Sequence, residues 1–398
     1  MAVEGVKGEG LRKTAGRARV LVINAGSSSV KVSLFEVGED LLPSSVWEGN
    51  GEPGEPLETV IAGMDRAGIG AVGHRIVHGG DVFRESVRIT PEVRAAIARF
   101  GELAPEHNRL EVAMIEAAAR IFGPEMPQVA AFDTAFHGTL APEAYVYPGP
   151  YEWLDRGIRR YGFHGISHQY VSGRAAEILG GPRRMITCHL GNGCSLAAIR
   201  DGRSVDTTMG YTPLDGLMMG TRSGSVDPGI LIHLMRNRGH SVEDLDRMLN
   251  RESGLKGVSG ISGDMRQVIA AMKRGDERAR LAFDIYVGRL ASGIAGLVPE
   301  LGGLEALVFT AGVGENSAEV RAAACGRLEW LGVKIDPAKN DGAKNDGAKI
   351  DGAKNDAPEG DREISGADSR VRVLVVHTKE QWQIAKECCR ILQTTRER

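Results

Sequence analysis

The sequence lacks an excess of charge of either sign. Its 398 residues carry 49 Lys and Arg against 52 Asp and Glu, a formal net charge of −3. A strongly basic balance would favour nucleic acid, and a polybasic tract would favour an anionic membrane surface, but the sequence has neither. It also has no uninterrupted run of roughly 20 apolar residues, the length that spans a bilayer. We therefore predict neither a nucleic-acid partner nor a membrane partner.

Two further absences concern export and cysteine chemistry. The first 18 residues contain Gly, Lys and Arg without the apolar segment of a secretory signal, so we expect a disordered extension over residues 1–18. The five cysteines are odd in number and form no Cys-X-X-Cys pair, which argues against a zinc site or a disulfide framework. This pattern is typical of reduced thiols in a cytoplasmic protein.

Glycine, in contrast, is abundant. The 53 glycines are about twice the usual share of about 7%. Many of them cluster in short motifs, which indicates places where the backbone approaches a ligand closely. The chain is too long for one ordinary hydrophobic core, so about two domains are expected.

A strand–turn–strand pattern occurs twice. An apolar run over residues 20–23 leads into Asn-Ala-Gly-Ser-Ser-Ser, and a strand-like pattern resumes over residues 30–35. Residues 185–190 are also apolar, lead into Gly-Asn-Gly-Cys-Ser and continue as a strand over residues 196–199. A repeat of this size predicts two related domains.

The rest of the chain mixes helices and strands. Helical periodicity, broken near residues 274–276, appears at residues 91–100, 108–122, 242–250 and 265–301. Two more strands are predicted at residues 306–310 and 371–376, each followed by a helix, from about Ser317 and about Glu380. Residues 338–356 repeat the unit AKNDG with almost no apolar residue, which predicts a solvent-exposed low-complexity insertion.

Three glycine turns have the composition of phosphate-binding segments. In NAGSSSVK, residues 24–31, small residues let N–H and hydroxyl groups approach phosphate oxygens, and Lys31 adds positive charge. HLGNG begins with His189 at a strand end, and TAGVGEN follows a strand, where α/β proteins place nucleotides. Each turn alone is also compatible with a plain tight turn, and His189 with a hydrogen-bonded structural histidine. A Walker A motif is absent.

Together, the three turns resemble the phosphate-1, phosphate-2 and adenosine segments of the actin, hexokinase and heat-shock chaperone superfold. That resemblance implies an α/β fold of two duplicated RNase H-like (actin-like ATPase) domains with a nucleotide cleft between them. Further motifs are GHRIVHGG, FDTAFH, RYGFHGISH, DTTMGYTPLDGLMMGTRSGSVDPG and SGISGDMR. With the turns, and in this order, they resemble the acetate kinase (acetokinase) family from about residue 19 to residue 392, apart from the AKNDG insertion.

The resemblance implies a domain layout and catalytic residues. It implies an N-terminal acceptor and metal-side domain over residues 19–150 plus 381–398, and a nucleotide-binding domain over residues 151–380. Asp133, His164 and Arg222 match catalytic positions. His164 and Arg222 would stabilise charge on the transferring phosphoryl group, because phosphoryl transfer depends mainly on positioning and charge neutralisation.

The resemblance also implies an acceptor site. Arg75 would anchor the acceptor carboxylate, which a guanidinium matches bidentately. Val77 would help to form a small pocket for the methyl group, and His107 would lie nearby. We expect Asp133 to orient Arg75 or a metal-bound water and not to act as a base, because a carboxylate acceptor is already ionised near neutral pH.

Asn24 and Glu380 match the metal positions of the family. Magnesium prefers oxygen ligands and keeps several waters, and manganese is left open as an alternative. Lys379 departs from the family's usual acidic segment and adds a positive charge beside Glu380. The residues implied to contact ATP are Ser27, Ser29, Lys31, His189, Leu190, Gly191, Asn192, Gly193, Asp264, Met265, Arg266, Gly312, Val313, Gly314, Glu315 and Asn316.

The expected function is that of a phosphotransferase with a carboxyl acceptor. The resemblance implies reversible, direct in-line transfer from ATP to acetate, giving acetyl phosphate and ADP, by a cytoplasmic homodimer. A propionate or butyrate kinase of the same superfamily is the nearest alternative, and the acceptor pocket distinguishes the two. A non-catalytic actin-like nucleotide-binding scaffold is an alternative of another class. Such a scaffold has no need for Arg75, Asp133, His164 and Arg222 together.

Overall fold

The computed structural model of the chain describes residues 18–26, 29–38, 42–102, 105–181, 183–341 and 360–394. The chain forms two compact units. Unit 1 comprises Met1–Gly138 and Lys379–Arg398, and unit 2 comprises Thr139–Thr378. Residues 139–150 therefore belong to unit 2 and Glu380 belongs to unit 1, whereas the boundaries expected from the sequence fall after residues 150 and 380.

Unit 1 is built on a six-stranded sheet. Its strands are β1 (Ala18–Ala25), β2 (Val30–Val37), β3 (Pro43–Gly51), β4 (Ile69–Ile76), β5 (Val87–Arg88) and β6 (Gln128–Phe132). The order across the sheet is β3-β2-β1-β4-β6-β5. Strands β1, β4 and β6 run parallel, and the remaining neighbours pair antiparallel.

Helices cover the sheet of unit 1. They are α1 (Leu57–Val60), α2 (Pro91–Arg99), α3 (Pro105–Phe122) and α15 (Glu380–Thr394). Helices α3 and α15 pack on β1 and β4. Because parallel strands covered in this way have little exposure to water, β1 and β6 consist almost entirely of buried residues.

Unit 2 contains a second six-stranded sheet. Its strands are β7 (Arg184–Leu190), β8 (Cys194–Arg200), β9 (Arg203–Thr207), β10 (Ala306–Thr310), β11 (Arg362–Glu363) and β12 (Arg372–Val375). Its helices are α4 (Pro142–Tyr145), α5 (Glu152–Asp155), α6 (Gly165–Leu179), α7 (Pro228–Arg238), α8 (Val242–Arg251), α9 (Gly254–Ser259), α10 (Met265–Lys273), α11 (Glu277–Leu301), α12 (Ala311–Asn316), α13 (Ala318–Gly326) and α14 (Pro337–Asp341). Short 3₁₀ helices occur in unit 1 at Phe100–Glu102, at the boundary of the units at Ala135–Thr139, and in unit 2 at Glu329–Leu331.

The two sheets have one topology. Read from its other edge, the second sheet has the order β9-β8-β7-β10-β12-β11. Its parallel and antiparallel pairings repeat those of unit 1 strand for strand. This mixed α/β arrangement is that of RNase H-like domains, and it confirms the duplication predicted from the two strand–turn–strand patterns.

The long helix α11 is a core element of unit 2. By length and composition alone it could cross a membrane, since it has 25 residues and a mean hydropathy of 1.4 in its most apolar window. It packs against β8 and β9 and buries Phe283, Tyr286 and Leu290. The break predicted near residues 274–276 is present, and the Asp276 side chain begins α11 by accepting a hydrogen bond from the Ala279 N–H at 2.8 Å.

Three expectations at element ends are wrong. Ala18, expected in the disordered extension, lies in β1. The segment Ala311–Asn316, expected as a turn, is the helix α12, and the helix expected from about Ser317 follows it as α13. The insertion, expected to be exposed from residue 338, begins as part of α14 with Asn340 buried. Hydrogen bonds from Arg321 Nε to Asn340 Oδ1, at 2.8 Å, and from Arg321 Nη2 to the Asn340 carbonyl, at 3.0 Å, hold this start in place. Residues 1–17 and 342–359 lie outside the described residues.

Candidate active site

Unit 1 collects polar side chains at one edge of its sheet. Asn24 is the penultimate residue of β1, Arg75 that of β4, and Asp133 directly follows β6. Because these three strands are parallel neighbours, their carboxyl ends meet at the same edge. Glu380, the first residue of α15, lies at the same place because it bonds to Asn24.

A continuous set of hydrogen bonds joins these four side chains. Arg75 donates from Nε and Nη2 to Asp133 Oδ2, at 3.1 and 2.5 Å. Arg75 Nη1 donates to Asn24 Oδ1 at 3.3 Å, and Asn24 Nδ2 donates to Glu380 Oε2 at 3.2 Å. The structure therefore brings together the residues predicted for the acceptor carboxylate and for the metal.

The Arg75–Asp133 ion pair is largely removed from solvent. The side chains are 15% and 2% exposed, respectively. Burial raises the pKa of Asp133, and the Arg75 charge opposes that rise. Burial lowers the pKa of Arg75, but Asp133 and Glu380 outweigh this effect and raise it overall, so the guanidinium stays charged. The pair fixes a cation at the strand ends.

Glu111 is a buried residue of this region that sequence reasoning missed. Its Oε1 accepts a hydrogen bond from the Val77 N–H at 3.0 Å, and its Oε2 is buried without a hydrogen bond from any described residue. Burial raises the pKa of Glu111 to about 8, although the Arg75 charge acts against this rise. The sequence contained one signal for the burial of Glu111. The buried Met114 and Ile115 follow it by three and four residues, which places all three on one face of a helix.

The remaining residues predicted in unit 1 are placed in part. Val77 is buried, and its main chain is held by Glu111. Ser29 closes the first glycine turn, where its carbonyl accepts a hydrogen bond from the Gly26 N–H at 2.9 Å, and Lys31 is exposed. Ser27 and the side chain of His107 lie outside the described residues.

Unit 2 brings His164 and Arg222 close to Gly193 and places His189 against His164. The rings of His164 and His189 stack with centroids 4.1 Å apart. A methyl group added at Gly193 would lie 3.2 Å from Arg222 Nη1 and 3.3 Å from His164 Cε1, so this glycine permits a close approach that a larger residue would crowd. Burial lowers the pKa of Arg222, whose Nη1 donates to the Pro213 carbonyl at 3.2 Å.

A cavity of about 790 Å³ in unit 2 is lined by two of the three glycine turns. Gly191 and Asn192 come from the turn after β7, and Gly312, Val313 and Asn316 from α12. Three more predicted nucleotide contacts also line it: Asp264, Met265 and Arg266. The volume is in the range of small-molecule pockets, about 300–1,000 Å³.

The predicted nucleotide residues of unit 2 that do not line this cavity are His189, Leu190, Gly193, Gly314 and Glu315. Leu190 and Gly314 are buried. Glu315 is also buried, and its Oε1 accepts hydrogen bonds from the N–H groups of Ala311, at 2.8 Å, and Thr378, at 3.0 Å. These two bonds connect the start of α12 to Thr378, which follows β12. Glu315 lines no part of the cavity.

The metal prediction can be compared with the donors present. Among the described residues, no group of three or more His, Cys, Asp and Glu side chains could hold a metal ion. Asn24 and Glu380 supply one amide oxygen and one carboxylate in the same hydrogen-bonded set. Magnesium is commonly bound by one or two carboxylates, waters and substrate phosphates, so this pair fits magnesium when phosphate oxygens complete the shell.

Two sheets of one RNase H-like topology, with small-residue turns after β1 and β7, define the chain as a protein of the actin-like ATPase fold. The family comparison is more specific. Residues 54–386 match the model of the Acetokinase family. The chain belongs to the acetokinase family, whose acetate kinases are phosphotransferases with a carboxyl group as acceptor.

Individual relatives agree with this assignment. The chain is 52% identical to acetate kinase from Gloeobacter violaceus, over 93% of this chain and 98% of the relative. The solved structure of Porphyromonas gingivalis acetate kinase is 37% identical, with a TM-score of 0.80 and coverage of 94% and 100%. A propionate kinase from Francisella tularensis subsp. tularensis SCHU S4 is 38% identical, with a TM-score of 0.80 and coverage of 93% and 98%.

Proposed function

We propose that this protein catalyses reversible phosphoryl transfer from ATP to acetate, giving acetyl phosphate and ADP by direct in-line transfer. The observation that carries this proposal is the fixed Arg75 guanidinium at the strand ends of unit 1, in a chain of the acetokinase family. A guanidinium in a low-dielectric site recognises a carboxylate, and a carboxylate acceptor needs no deprotonation before attack.

In the acceptor site, Arg75 binds the acetate carboxylate. Asp133 orients the guanidinium through the bonds from Nε and Nη2. Val77 contributes apolar surface for the methyl group, and His107 belongs to the same proposed site. The size of this apolar region sets the acceptor length, since one methylene is worth only about 1–3 kcal/mol in a hydrophobic pocket.

In unit 2, His164 and Arg222 stabilise charge on the phosphoryl oxygens during transfer. Their approach at Gly193 supports this role, since two donors near one glycine turn can reach the same anion. The adenosine part of ATP occupies the cavity lined by Gly312, Val313 and Arg266. The proposed phosphate contacts are Ser27, Ser29 and Lys31 in the turn after β1, and residues 189–193 in the turn after β7.

Asn24 and Glu380 are proposed to hold Mg²⁺, with Mn²⁺ as an alternative ion. The ion, when bound, neutralises charge on phosphate oxygens. The hydrogen bond from Asn24 Nδ2 to Glu380 Oε2 supports their shared role because it keeps the two side chains adjacent, and the Asn24 Oδ1 would exchange its bond from Arg75 Nη1 for the ion. Lys379 next to Glu380 weakens the site relative to an acidic neighbour.

We also propose a cytoplasmic homodimer. All five cysteines are buried free thiols, which supports a reducing compartment. On α7 no residue is buried, and Ile230, Ile232 and Met235 are exposed apolar side chains. A second copy of the chain would cover these side chains. Sedimentation of Ile232→Asp beside the unmodified protein tests this interface. A monomeric variant supports the dimer face, and an unchanged dimer refutes it.

The main test is hydroxamate-coupled turnover with ATP and Mg²⁺. Acetate, propionate, butyrate and glycerol are compared for the unmodified protein and for Arg222→Ala. We expect acetate to be the best acceptor and turnover to collapse in the variant. The similarity to a propionate kinase makes propionate the second candidate, and best activity with propionate would change the acceptor but keep the mechanism. Absence of transfer to any carboxylate would contradict the proposal.

A further inference from the structure

Ser195 lies between two histidines in the core of unit 2. It is the second residue of β8 and is fully buried. Its Oγ is 2.9 Å from His164 Nδ1 and 2.8 Å from His168 Nε2. His164 immediately precedes α6 and His168 is four residues later, so both rings project from the same side of the helix start towards β8.

The hydrogen-bonded series continues beyond His168. Its Nδ1 is 2.7 Å from the Oγ1 of Thr187, a buried residue of β7. Thr187, His168, Ser195 and His164 are thus joined by successive contacts that link two neighbouring β-strands and the start of a helix. At the His164 end of this series, the imidazole ring stacks on His189 and lies next to Gly193.

Proton counting leaves two arrangements when both rings are neutral. A serine hydroxyl has one proton, and a neutral imidazole has one N–H and one acceptor nitrogen. Because Ser195 is fully buried, its own proton must also be paired, so it donates to one histidine and accepts from the other. In the first arrangement His164 carries its proton on Nδ1 and donates to Ser195. In the second, His168 donates to Ser195, Ser195 donates to His164 Nδ1, and the His164 proton is on Nε2.

The two arrangements differ in what His164 presents to a phosphate. In the first, neutral His164 presents a lone pair at Nε2, which repels an anionic oxygen. In the second, Nε2–H is a donor without any net charge on the ring. Arg222 lies near the same glycine, so a neutral donor also avoids placing two cations side by side.

We propose that Ser195 is a positioning residue that selects the Nε2–H tautomer of His164, so that the neutral ring donates to the transferring phosphoryl group. This inference rests on the proposed phosphoryl-transfer function. Ser195 touches neither substrate, and it acts through His164. Thr187 and His168 complete the series, with the Thr187 hydroxyl donating to His168 Nδ1.

A direct test is the ring-nitrogen NMR spectrum of protein labelled with ¹⁵N-histidine, recorded without substrate. The His164 signals are identified by their loss in His164→Gln. We expect the unmodified protein to carry the proton on Nε2 at neutral pH, and Ser195→Ala to show a mixture of tautomers. A proton on Nδ1 in the unmodified protein, or identical spectra for both proteins, would overturn the proposal whatever the catalytic activity is.

A kinetic test uses a matched control. Ser195→Ala is compared with Thr207→Val, which removes another buried hydroxyl from the same sheet, one that donates to the Leu196 carbonyl at 2.7 Å. We expect Ser195→Ala to lower kcat about 10- to 100-fold with nearly unchanged KM for ATP and acetate, and Thr207→Val to keep kcat. Ser195→Cys, which keeps a weak donor of similar size, should recover part of the loss.

The pH profile separates positioning from a general loss of structure. If the variant ring donates from Nε2 only when doubly protonated, kcat of Ser195→Ala falls as pH rises through about 6.5, the ordinary histidine range, while the unmodified protein stays level. Equal profiles would overturn the inference while leaving the proposed function intact. If the unmodified protein transfers nothing to acetate, the proposed function fails, and the NMR result still decides the tautomer.

Discussion

The two units share one sheet topology, yet they hold their polar residues by different means. In unit 1 a buried ion pair, Arg75 with Asp133, fixes a cation at the strand ends. In unit 2 the corresponding region relies on hydroxyl–imidazole hydrogen bonds around Ser195 and on the absence of a side chain at Gly193. A permanent charge suits recognition of a small carboxylate, whereas a set of oriented donors suits charge that develops only during transfer.

The largest expected effect comes from breaking the ion pair of unit 1. Arg75→Met leaves Asp133 buried with no cation beside it, and we expect a loss of about 3–5 kcal/mol in the free energy of unfolding. The double variant Arg75→Met/Asp133→Leu should recover most of this loss, because no buried charge remains. Urea unfolding of both variants measures it, and a double variant less stable than Arg75→Met would contradict the account.

Asp133→Asn tests orientation against general-base catalysis. We expect turnover to fall about 100-fold because the guanidinium loses its fixed geometry. The acidic limb of the pH–rate profile should remain, since no proton leaves an acetate nucleophile. Initial rates across pH check this, with Asp81→Asn, an exposed carboxylate in the segment between β4 and β5, as the control. Disappearance of the acidic limb only in Asp133→Asn would show that Asp133 is a base.

Glu111 should make unit 1 less stable as pH rises. Its pKa is raised from 4.5 to about 8, so the folded state keeps a proton that the unfolded chain has lost in this interval. The stability is fully present below pH 4.5 and is lost as pH rises through 8, at up to about 1.4 kcal/mol per pH unit. Glu111→Gln should remove this dependence.

The buried histidines of unit 1 set the useful pH window for that measurement. Burial lowers the pKa of His74 and of His78 from 6.5 to about 4, so their effect on stability appears as pH falls below 6.5. Unfolding measured between about pH 6.5 and 8 therefore excludes these two histidines, and the difference between the unmodified protein and Glu111→Gln gives the Glu111 contribution. Parallel pH dependences of the unmodified protein and Glu111→Gln would show that the carboxyl is ionised throughout.

The smallest expected effect is at Gly193. The added methyl group of Gly193→Ala meets Arg222 and His164 at 3.2 and 3.3 Å, so both side chains must shift by a few tenths of an ångström. We expect kcat to fall several-fold, within about 1 kcal/mol, with stability nearly unchanged. Gly173→Ala, where a Cβ meets no atom within 4 Å, is the control. Equal kcat for the two variants would show that Gly193 does not set the approach.

Much of the fold followed from local pattern. Apolar runs before small-residue turns predicted β1, β2, β7 and β8 and the duplication, because buried strands need continuous apolar residues. α12 did not follow, because TAGVGEN is rich in residues with low helix propensity, and buried contacts of Glu315 with its own helix start and with Thr378 override that preference. Tertiary contacts of this kind are not encoded in local periodicity.

The candidate site was predictable only where motifs carried it. Asn24, Arg75, Asp133 and Glu380 were predicted by family resemblance, and the structure adds the bonds that join them. Ser195 was assigned only to the small-residue turn before the strand, because sequence does not reveal which hydroxyl lies between two rings. The residues missed are those that act through another side chain, and only the packed structure identifies them.

One comparison tests the central claim most directly: steady-state kinetics of Arg75→Ala and Arg222→Ala, with acetate and ATP varied separately. The account predicts that Arg75→Ala chiefly raises KM for acetate, and that Arg222→Ala chiefly lowers kcat with little change in either KM. The reverse assignment, with Arg222→Ala raising KM for acetate and Arg75→Ala leaving it unchanged, would contradict the division of roles between the two units.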